Sequence, residues 1–289
     1  MDWSKVIITR IALKFSYIGK DYCGLVVQEN TRETVETKLF EALVKCCLID
    51  SEEHISKVIY TRCGRTDKGV SALANVCSLL VRKLPKGDYC SRINHCLPDD
   101  IRVLAYAEVP QQFDARFSCI FREYKYFFLK QDMDVSKIKE ACKRYVGMHD
   151  FRNFCKMDES AKFGFEANNE DGEDAGQNFE RRIYSFKIVE VSENKYDSNK
   201  NVCMAIIKGS AFLWHQVRYM MSVLFMIGKG QEEMNVINTL LDIELIKERP
   251  NYEIADGQNL ILSECGFEGI SWKNHNLFAD IETFKVYDQ

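Results

Sequence analysis

Strand-like and helix-like segments alternate irregularly along this chain, and their order limits the folds that it can adopt. Runs rich in β-branched and aromatic residues predict strands near residues 6–17, 58–60, 72–82, 101–109, 124–129, 182–191, 202–208 and 260–264. Apolar residues at three- to four-residue spacing predict helices near 35–47, between Pro85 and Pro98, and near 135–146, 214–227 and 232–245. Because the helices do not follow the strands one for one, the pattern favours an α+β fold with a mixed, mainly antiparallel sheet flanked by helices.

Length and composition place the chain among ordinary globular proteins. Its 289 residues are 46% hydrophobic and 28% charged, which suits one large domain or two small lobes. No run approaches the roughly 18 consecutive apolar residues that a membrane span needs. Since residues 1–5 also lack a signal-peptide pattern, we expect an intracellular protein that does not contact membranes.

Charge is distributed unevenly along the sequence. The formal net charge is -4, yet residues 60–130 contain twelve Lys or Arg against seven Asp or Glu. Residues 158–180 contain eight acidic residues and one Lys, and we expect residues 159–180 to form a mobile surface insertion. Binding of a polyanion depends on the local potential, so the basic region remains open to phosphate binding.

The twelve cysteines do not form a ligand pattern for a metal. None of them stands in a Cys-x-x-Cys spacing, and most lie inside apolar runs. Zinc sites need clustered donors, so we predict free, buried thiols and no bound metal.

The run from Cys63 to Asn75 contains a carboxylate in a tight turn between two strand-like segments. Gly64 and Gly69 bound the turn, and glycine allows a positive φ or a close approach of another backbone. Asp67 has cations on both sides, which favours its ionised form and suits a nucleophile. An aspartate in such a turn can equally serve only to stabilise the turn.

Two further segments combine charged and aromatic residues. Residues 113–126 interleave Arg and Lys with Phe and Tyr, as expected where bases stack and phosphates are neutralised, or on any half-exposed strand. Residues 209–218 open an apolar helix with His215 and Arg218 on similar faces. A cation there needs a carboxylate partner, and Asp67 is a candidate, although another acid could serve.

These segments together resemble the TruA family of tRNA pseudouridine synthases. The matching blocks are Tyr17-Ile18-Gly19, Thr34-Val35-Glu36, Gly64-Arg65-Thr66-Asp67, Ala115-Arg116-Phe117 with Arg122 and Tyr124, and Gly209 through Arg218. Residues 62–72, 149–158 and 212–218 are most similar to the eukaryotic branch that modifies positions 38 and 39 of the anticodon arm. Lys68 and Ser71 stand where bacterial members typically have Ala and His.

The resemblance implies a fold, a reaction and a set of site residues. The fold would be the pseudouridine synthase fold, with two lobes around a central RNA-binding cleft, here assigned to residues 1–110 and 111–289. The reaction would isomerise uridine to pseudouridine in tRNA without a cofactor, either by covalent attack or through a glycal. The catalytic residues would be Asp67, Tyr124 and Arg218, and the RNA-binding residues would be Arg65, Lys68, Arg116, Arg122 and His215.

The resemblance also leaves alternatives and partners to be tested. A homodimer and a location in the nucleus, the cytoplasm or both would fit the family. The first competing hypothesis is a catalytically idle tRNA-binding or chaperone-like protein with the same fold. The second is a metal-dependent hydrolase, which the lack of clustered His and acidic ligands disfavours. Arg65 could also be a plain phosphate contact.

Overall fold

The computed structural model describes residues 3–51, 58–85, 87–156, 178–192 and 197–274. Within these residues the strands are β1 (Ile8–Tyr17), β2 (Thr61–Arg62), β3 (Ser71–Arg82), β4 (Ile101–Glu108), β5 (Phe121–Leu129), β6 (Gly147–Asp150), β7 (Glu180–Ser192), β8 (Val202–Gly209), β9 (Leu260–Gly266) and β10 (Lys273–Asn274). The α-helices are α1 (Val35–Lys45), α2 (Tyr89–Asn94), α3 (Val135–Ala141), α4 (Gln216–Gly228) and α5 (Val236–Leu241). The chain is therefore α+β, as predicted.

The chain divides into two compact units. The first runs to Arg122 and resumes at Ile261, and the second is Glu123–Leu260. The first unit is discontinuous in sequence, because β9 returns to it and pairs in parallel with the start of β3. The two lobes predicted at residues 1–110 and 111–289 stay a prediction. Most of the predicted acidic insertion lies outside the described residues.

The first unit contains a sheet in the order β10-β4-β1-β3-β9, with β2 also paired to β3. Each of these pairs is antiparallel except that of β3 with β9. Ile11, Leu13 and Phe15 of β1 are fully buried, as is Val76 of β3. The prediction of a mainly antiparallel sheet is thus confirmed in this unit.

Helix α1 shows how local sequence determines an element in the first unit. Thr34 is its N-cap, with extended backbone, and its Oγ1 accepts a hydrogen bond from Thr37 N. Leu39 and Leu43 are fully buried, as their four-residue spacing predicts. Thr34 therefore caps α1.

The second unit contains strands in the order β5-β8-β7-β6. Strands β7 and β8 form the predicted antiparallel pair, and β6 pairs antiparallel with β7. Helix α4 buries its predicted apolar face, including Met220 and Leu224. It begins two residues later than predicted, because Leu213 N donates to Gln216 Oε1 and His215 adopts a left-handed conformation with φ of 65°.

Three predicted elements differ from those observed. The predicted strand at Val58–Tyr60 is wrong, because Ile59 has a φ of 45° and the extended segment starts at Thr61. The helix predicted for 135–146 becomes a 3-10 helix from Cys142 to Tyr145. The helix predicted for 232–245 is shorter, and β6 was not predicted at all.

Two whole-chain features bear on function. All twelve cysteines are free thiols, and nine of them are buried, as the scattered positions indicated. In the part of the chain that the structure describes, no helix is long and apolar enough to span a membrane.

Candidate active site

The Asp67 turn joins β2 to β3 in the first unit. Arg65 and Lys68 are exposed, whereas Asp67 is half-buried. Gly69 has a φ of 80°, and Val70 N donates to Asp67 O at 3.1 Å, so this glycine provides the left-handed conformation that closes the turn. The turn therefore combines a partly desolvated carboxylate with exposed cations.

Residues 19–25 brace the turn from one side. Leu25 N donates to Thr66 O at 3.1 Å, and Gly69 N donates to Tyr22 O at 3.3 Å. Gly24 has a φ of 101°, and a Cβ added to it would lie 3.0 Å from Thr66 O. Gly24 therefore allows the two backbones to approach closely. It lies in a segment that the sequence pattern did not connect with this turn.

Ser71 contributes to the same contact between the two segments. Its Oγ accepts a hydrogen bond from Gly19 N at 2.9 Å. A Cβ on Gly19 would lie 2.0 Å from Val70 O, so the two backbones are in contact. Ser71, singled out because bacterial members typically have His there, therefore has a structural partner in this chain.

A buried ion pair anchors the strand that enters the turn. Glu36 Oε1, in the first turn of α1, lies 2.5 Å from Arg62 Nε. Burial raises the pKa of Glu36, and the Arg62 charge lowers it. Glu36 therefore complements the positive end of α1 and also binds β2.

Arg122 lies inside the first unit. It is 8% exposed, and its Nη2 donates to Cys63 O at 3.1 Å and to Arg116 O at 2.8 Å. Arg122 therefore links the start of the Asp67 turn to the 113–118 segment. This placement favours a structural role, and direct contact with RNA stays a prediction.

The 113–118 segment presents a cation and an aromatic ring on the surface. Asp114 Oδ1 accepts hydrogen bonds from Arg116 N at 2.7 Å and from Phe117 N at 3.0 Å. The Arg116 guanidinium lies 5.2 Å from the centroid of the Phe117 ring, and Phe117 is 79% exposed. Arg116 was predicted to bind RNA, whereas Phe117 was noted only as part of the motif.

The second unit holds the other predicted catalytic residues. Tyr124 on β5 is buried, and its ring packs edge-on against Phe212 at 5.1 Å between centroids. Arg218 in α4 is half-buried, and its Nε donates to Ala255 O at 2.7 Å. An aromatic face and an oriented guanidinium thus occur in this unit, and the pairing of Arg218 with Asp67 stays a prediction.

His215 lies at the N-cap position of α4. Its ring is tilted against Trp214 at 5.0 Å and against Tyr219 at 6.2 Å. Burial lowers the pKa of His215 to about 4, with further lowering by Arg218, Lys156 and Arg249. The imidazole is therefore neutral near pH 7 and would not bring a positive charge to RNA.

A bound metal ion needs several donor side chains close together. Among these described residues, no group of three or more His, Cys, Asp or Glu side chains could hold a metal ion.

Comparisons with known proteins match these features to one family. A family model described as tRNA pseudouridine synthase matches residues 141–268. The tRNA pseudouridine(38/39) synthases of Bos taurus and of Saccharomyces cerevisiae are each 41% identical to this chain, over 91% and 94% of its length. These matches span 56% and 60% of the two relatives, so the chain covers little more than half of their length.

A shorter archaeal relative is matched over most of its own length. The tRNA pseudouridine synthase A of Methanosarcina acetivorans is 35% identical over 264 residues, which are 91% of this chain and 87% of that protein. Together with the motif turn and the α+β architecture, this match shows that the chain belongs to the TruA family of tRNA pseudouridine synthases.

Proposed function

We propose that this chain isomerises uridine to pseudouridine in the anticodon arm of tRNA, at position 38, position 39 or both. The observation that carries the proposal is the Asp67 turn, in which several backbone contacts hold a half-buried carboxylate between exposed cations. The names of the bovine and yeast relatives supply the substrate and the two positions. For this chain, the tRNA substrate and the two positions are therefore proposals.

The reaction needs a nucleophile or base that is ionised yet poorly hydrated. In pseudouridine formation the bond between N1 and C1′ breaks, the uracil turns, C5 bonds to C1′, and C5 loses a proton while N1 gains one. Asp67 would either attack covalently or remove a ribose proton to give a glycal. Both routes need the carboxylate held at one place relative to the ribose, which a braced turn favours.

Tyr124 and Arg218 supply the remaining chemistry of the proposal. The buried Tyr124 ring offers a flat surface for the uracil, and its hydroxyl could take the C5 proton. Arg218 would form the ion pair that keeps Asp67 ionised after water is excluded. The proposal thus includes a cleft that uses residues of both units.

Exposed cations of the first unit would bind the RNA backbone. Arg65, Lys68 and Arg116 are all exposed, so each can reach a phosphate. Arg65 lies two residues before Asp67 and could also occupy the space of a flipped-out nucleotide. A contact to phosphate alone is the simpler role for Arg65.

Site-specific mapping of pseudouridine in tRNA incubated with the purified protein tests the proposal. We expect pseudouridine at position 38 or 39 with the wild type and none with Asp67→Asn, which keeps the side-chain volume. Asp88→Asn is the matched control, since Asp88 only caps α2 and Asn caps equally well. It should retain full activity.

Three outcomes would count against the proposal. Wild-type protein that binds tRNA but forms no pseudouridine would support the idle-binder alternative. Near-normal activity of Asp67→Asn would remove Asp67 from the chemistry. Activity that disappears in EDTA and returns with a divalent cation would point to a metal-dependent reaction.

Assembly and location complete the proposal. We propose that two copies of the chain form a homodimer, which sedimentation equilibrium would test, and that the protein works in the nucleus, the cytoplasm or both. A strictly monomeric and fully active enzyme would contradict the dimer.

A further inference from the structure

A buried polar cluster lies directly beneath the Asp67 turn. Its members are Tyr17 at the end of β1, Asn75 in β3 and Thr66 in the turn, and none is more than 6% exposed. Buried polar atoms need hydrogen-bond partners, so the position of each member depends on the others.

Asn75 holds the backbone of Gly64 by both of its polar groups. Gly64 N donates to Asn75 Oδ1 at 3.2 Å, and Asn75 Nδ2 donates to Gly64 O at 3.0 Å. Oδ1 also accepts from Val76 N at 2.8 Å. Gly64 is therefore fixed by one side chain eleven residues away in sequence.

Tyr17 connects Asn75 to the residue next to the carboxylate. Asn75 Nδ2 donates to Tyr17 Oη at 3.3 Å, and Tyr17 Oη lies 2.7 Å from Thr66 Oγ1. The pairing of β1 with β3 shifts between Phe15 and Tyr17, next to the Asn75 position. Bulges of this kind redirect side chains near functional sites.

The cluster thus contacts the turn on both sides of Arg65 and immediately before Asp67. If either side chain loses its polar group, Gly64 or Thr66 keeps a buried polar atom without its partner, and the turn can relax into other positions. A displacement of about 1 Å can lower a rate by about a hundredfold. Binding of RNA by exposed cations does not require the same accuracy.

We infer that Asn75 and Tyr17 are positioning residues that hold Gly64 and Thr66 so that Asp67 keeps one orientation toward the ribose. This inference rests on the proposed function. Neither side chain touches the substrate, and both act through the turn.

The structure offers a matched control in the same unit. Asn94, at the end of α2, binds the backbone of Val103 in the same two-way manner. Its Nδ2 donates to Val103 O at 2.9 Å, and Val103 N donates to its Oδ1 at 2.7 Å. Asn94→Ala therefore removes the same kind of contact from a place that does not touch the turn.

Single-turnover assays with excess enzyme and measurement of tRNA affinity test the inference. We expect Tyr17→Phe to lower the rate constant about tenfold, equivalent to about 1.4 kcal/mol, and Asn75→Ala to lower it further. Both should bind tRNA within about twofold of wild type. Asn94→Ala should also lose thermal stability, while its rate constant stays within about twofold of wild type.

Several outcomes would overturn the inference. Folded Tyr17→Phe with an unchanged rate constant would do so, and this variant decides the matter if Asn75→Ala does not fold. An equal loss of rate in Asn94→Ala would show that general destabilisation is the cause. Wild-type protein that forms no pseudouridine would instead refute the proposed function.

Discussion

Removal of the Arg62 guanidinium should show how much stability the protein loses when the buried Glu36 carboxylate no longer pairs with the strand that enters the Asp67 turn. The Glu36 side chain is 0% exposed and Arg62 is 25% exposed. Glu36 Oε2 also accepts a hydrogen bond from Val27 N at 3.2 Å, so the carboxylate joins three segments of the first unit. Arg62→Met would keep the apolar stem and remove the charge.

The size of the effect follows from the burial of the pair. Removing one partner of a buried ion pair destabilises a protein by about 3–5 kcal/mol. Because Arg62 is partly exposed, we expect the lower end, about 3 kcal/mol at pH 7.5. The same loss would appear as a further rise in the pKa of Glu36, because the Arg62 charge that lowers this pKa would be gone.

The pH dependence gives the prediction a second test. A carboxyl whose pKa is higher in the folded state destabilises the fold above its unfolded pKa, near 4.3, and the loss grows as the pH rises. Protonation of Glu36 relieves this loss in acid. The destabilisation by Arg62→Met should therefore be smaller at pH 5.5 than at pH 7.5.

Urea denaturation of the wild type and four variants at both pH values would measure these differences. The variants are Arg62→Met, Glu36→Gln, their combination, and Arg32→Met as a control. Arg32 also pairs with a glutamate of α1, Glu41, but that pair is exposed, so its loss should change stability by less than about 1 kcal/mol. The combined variant should be more stable than the sum of the single losses predicts.

Two results would refute the reasoning about this pair. One is a decrease in the free energy of unfolding of less than about 1 kcal/mol for Arg62→Met. A buried carboxylate that has lost its ion-pair partner should destabilise the protein by more than that. The other is the same loss at both pH values, because Glu36 would then not be the group that becomes destabilised.

Four further predictions concern single residues. Gly19→Ala should lower both thermal stability and the rate of pseudouridine formation, because its Cβ would lie 2.0 Å from Val70 O; wild-type melting would contradict this. His215→Asn, which tolerates the left-handed backbone, should lose less thermal stability than wild type as the pH falls from about 6.5 to 4, because protonation of the buried imidazole destabilises the fold over that range. Phe117→Ala should raise the Kd for tRNA at least about fivefold if a base stacks there, while Phe117→Trp should bind normally. Arg116→Ala should reduce the salt dependence of binding, and an unchanged dependence would show that Arg116 contacts no phosphate.

Most elements could be predicted because their patterns are local. The N-cap at Thr34 and the buried spacing of Leu39 and Leu43 need only one turn of helix to be recognised. Strand β6 could not be predicted, because its four residues become a strand only by pairing with β7. The left-handed conformation of Ile59 ended a predicted strand that β propensity alone favoured.

The polar contacts of the candidate site could be predicted only where they are local in sequence. The Asp67 turn was predicted from its glycines, and Gly69 has the positive φ that the argument required. Gly64 instead belongs to the Asn75 contact, and Tyr17 reaches Thr66 from 49 residues away. In the sequence, the local sign of these contacts was the polar residue Asn75, which stands just before the apolar run that begins at Val76.

A count of cations in the motif segments overstates the charge available to RNA. Arg122 belongs to the predicted RNA-binding set, but it is buried and directs its guanidinium at two backbone carbonyls. His215 belongs to the same set, but it is neutral near pH 7 because burial and nearby cations lower its pKa. The exposed charges of that set are therefore Arg65, Lys68 and Arg116, all in the first unit. Since the Asp67 turn carries two of these and connects to the third through Arg122, the contacts that fix the turn also constrain the backbone of the three cations that we propose bind RNA.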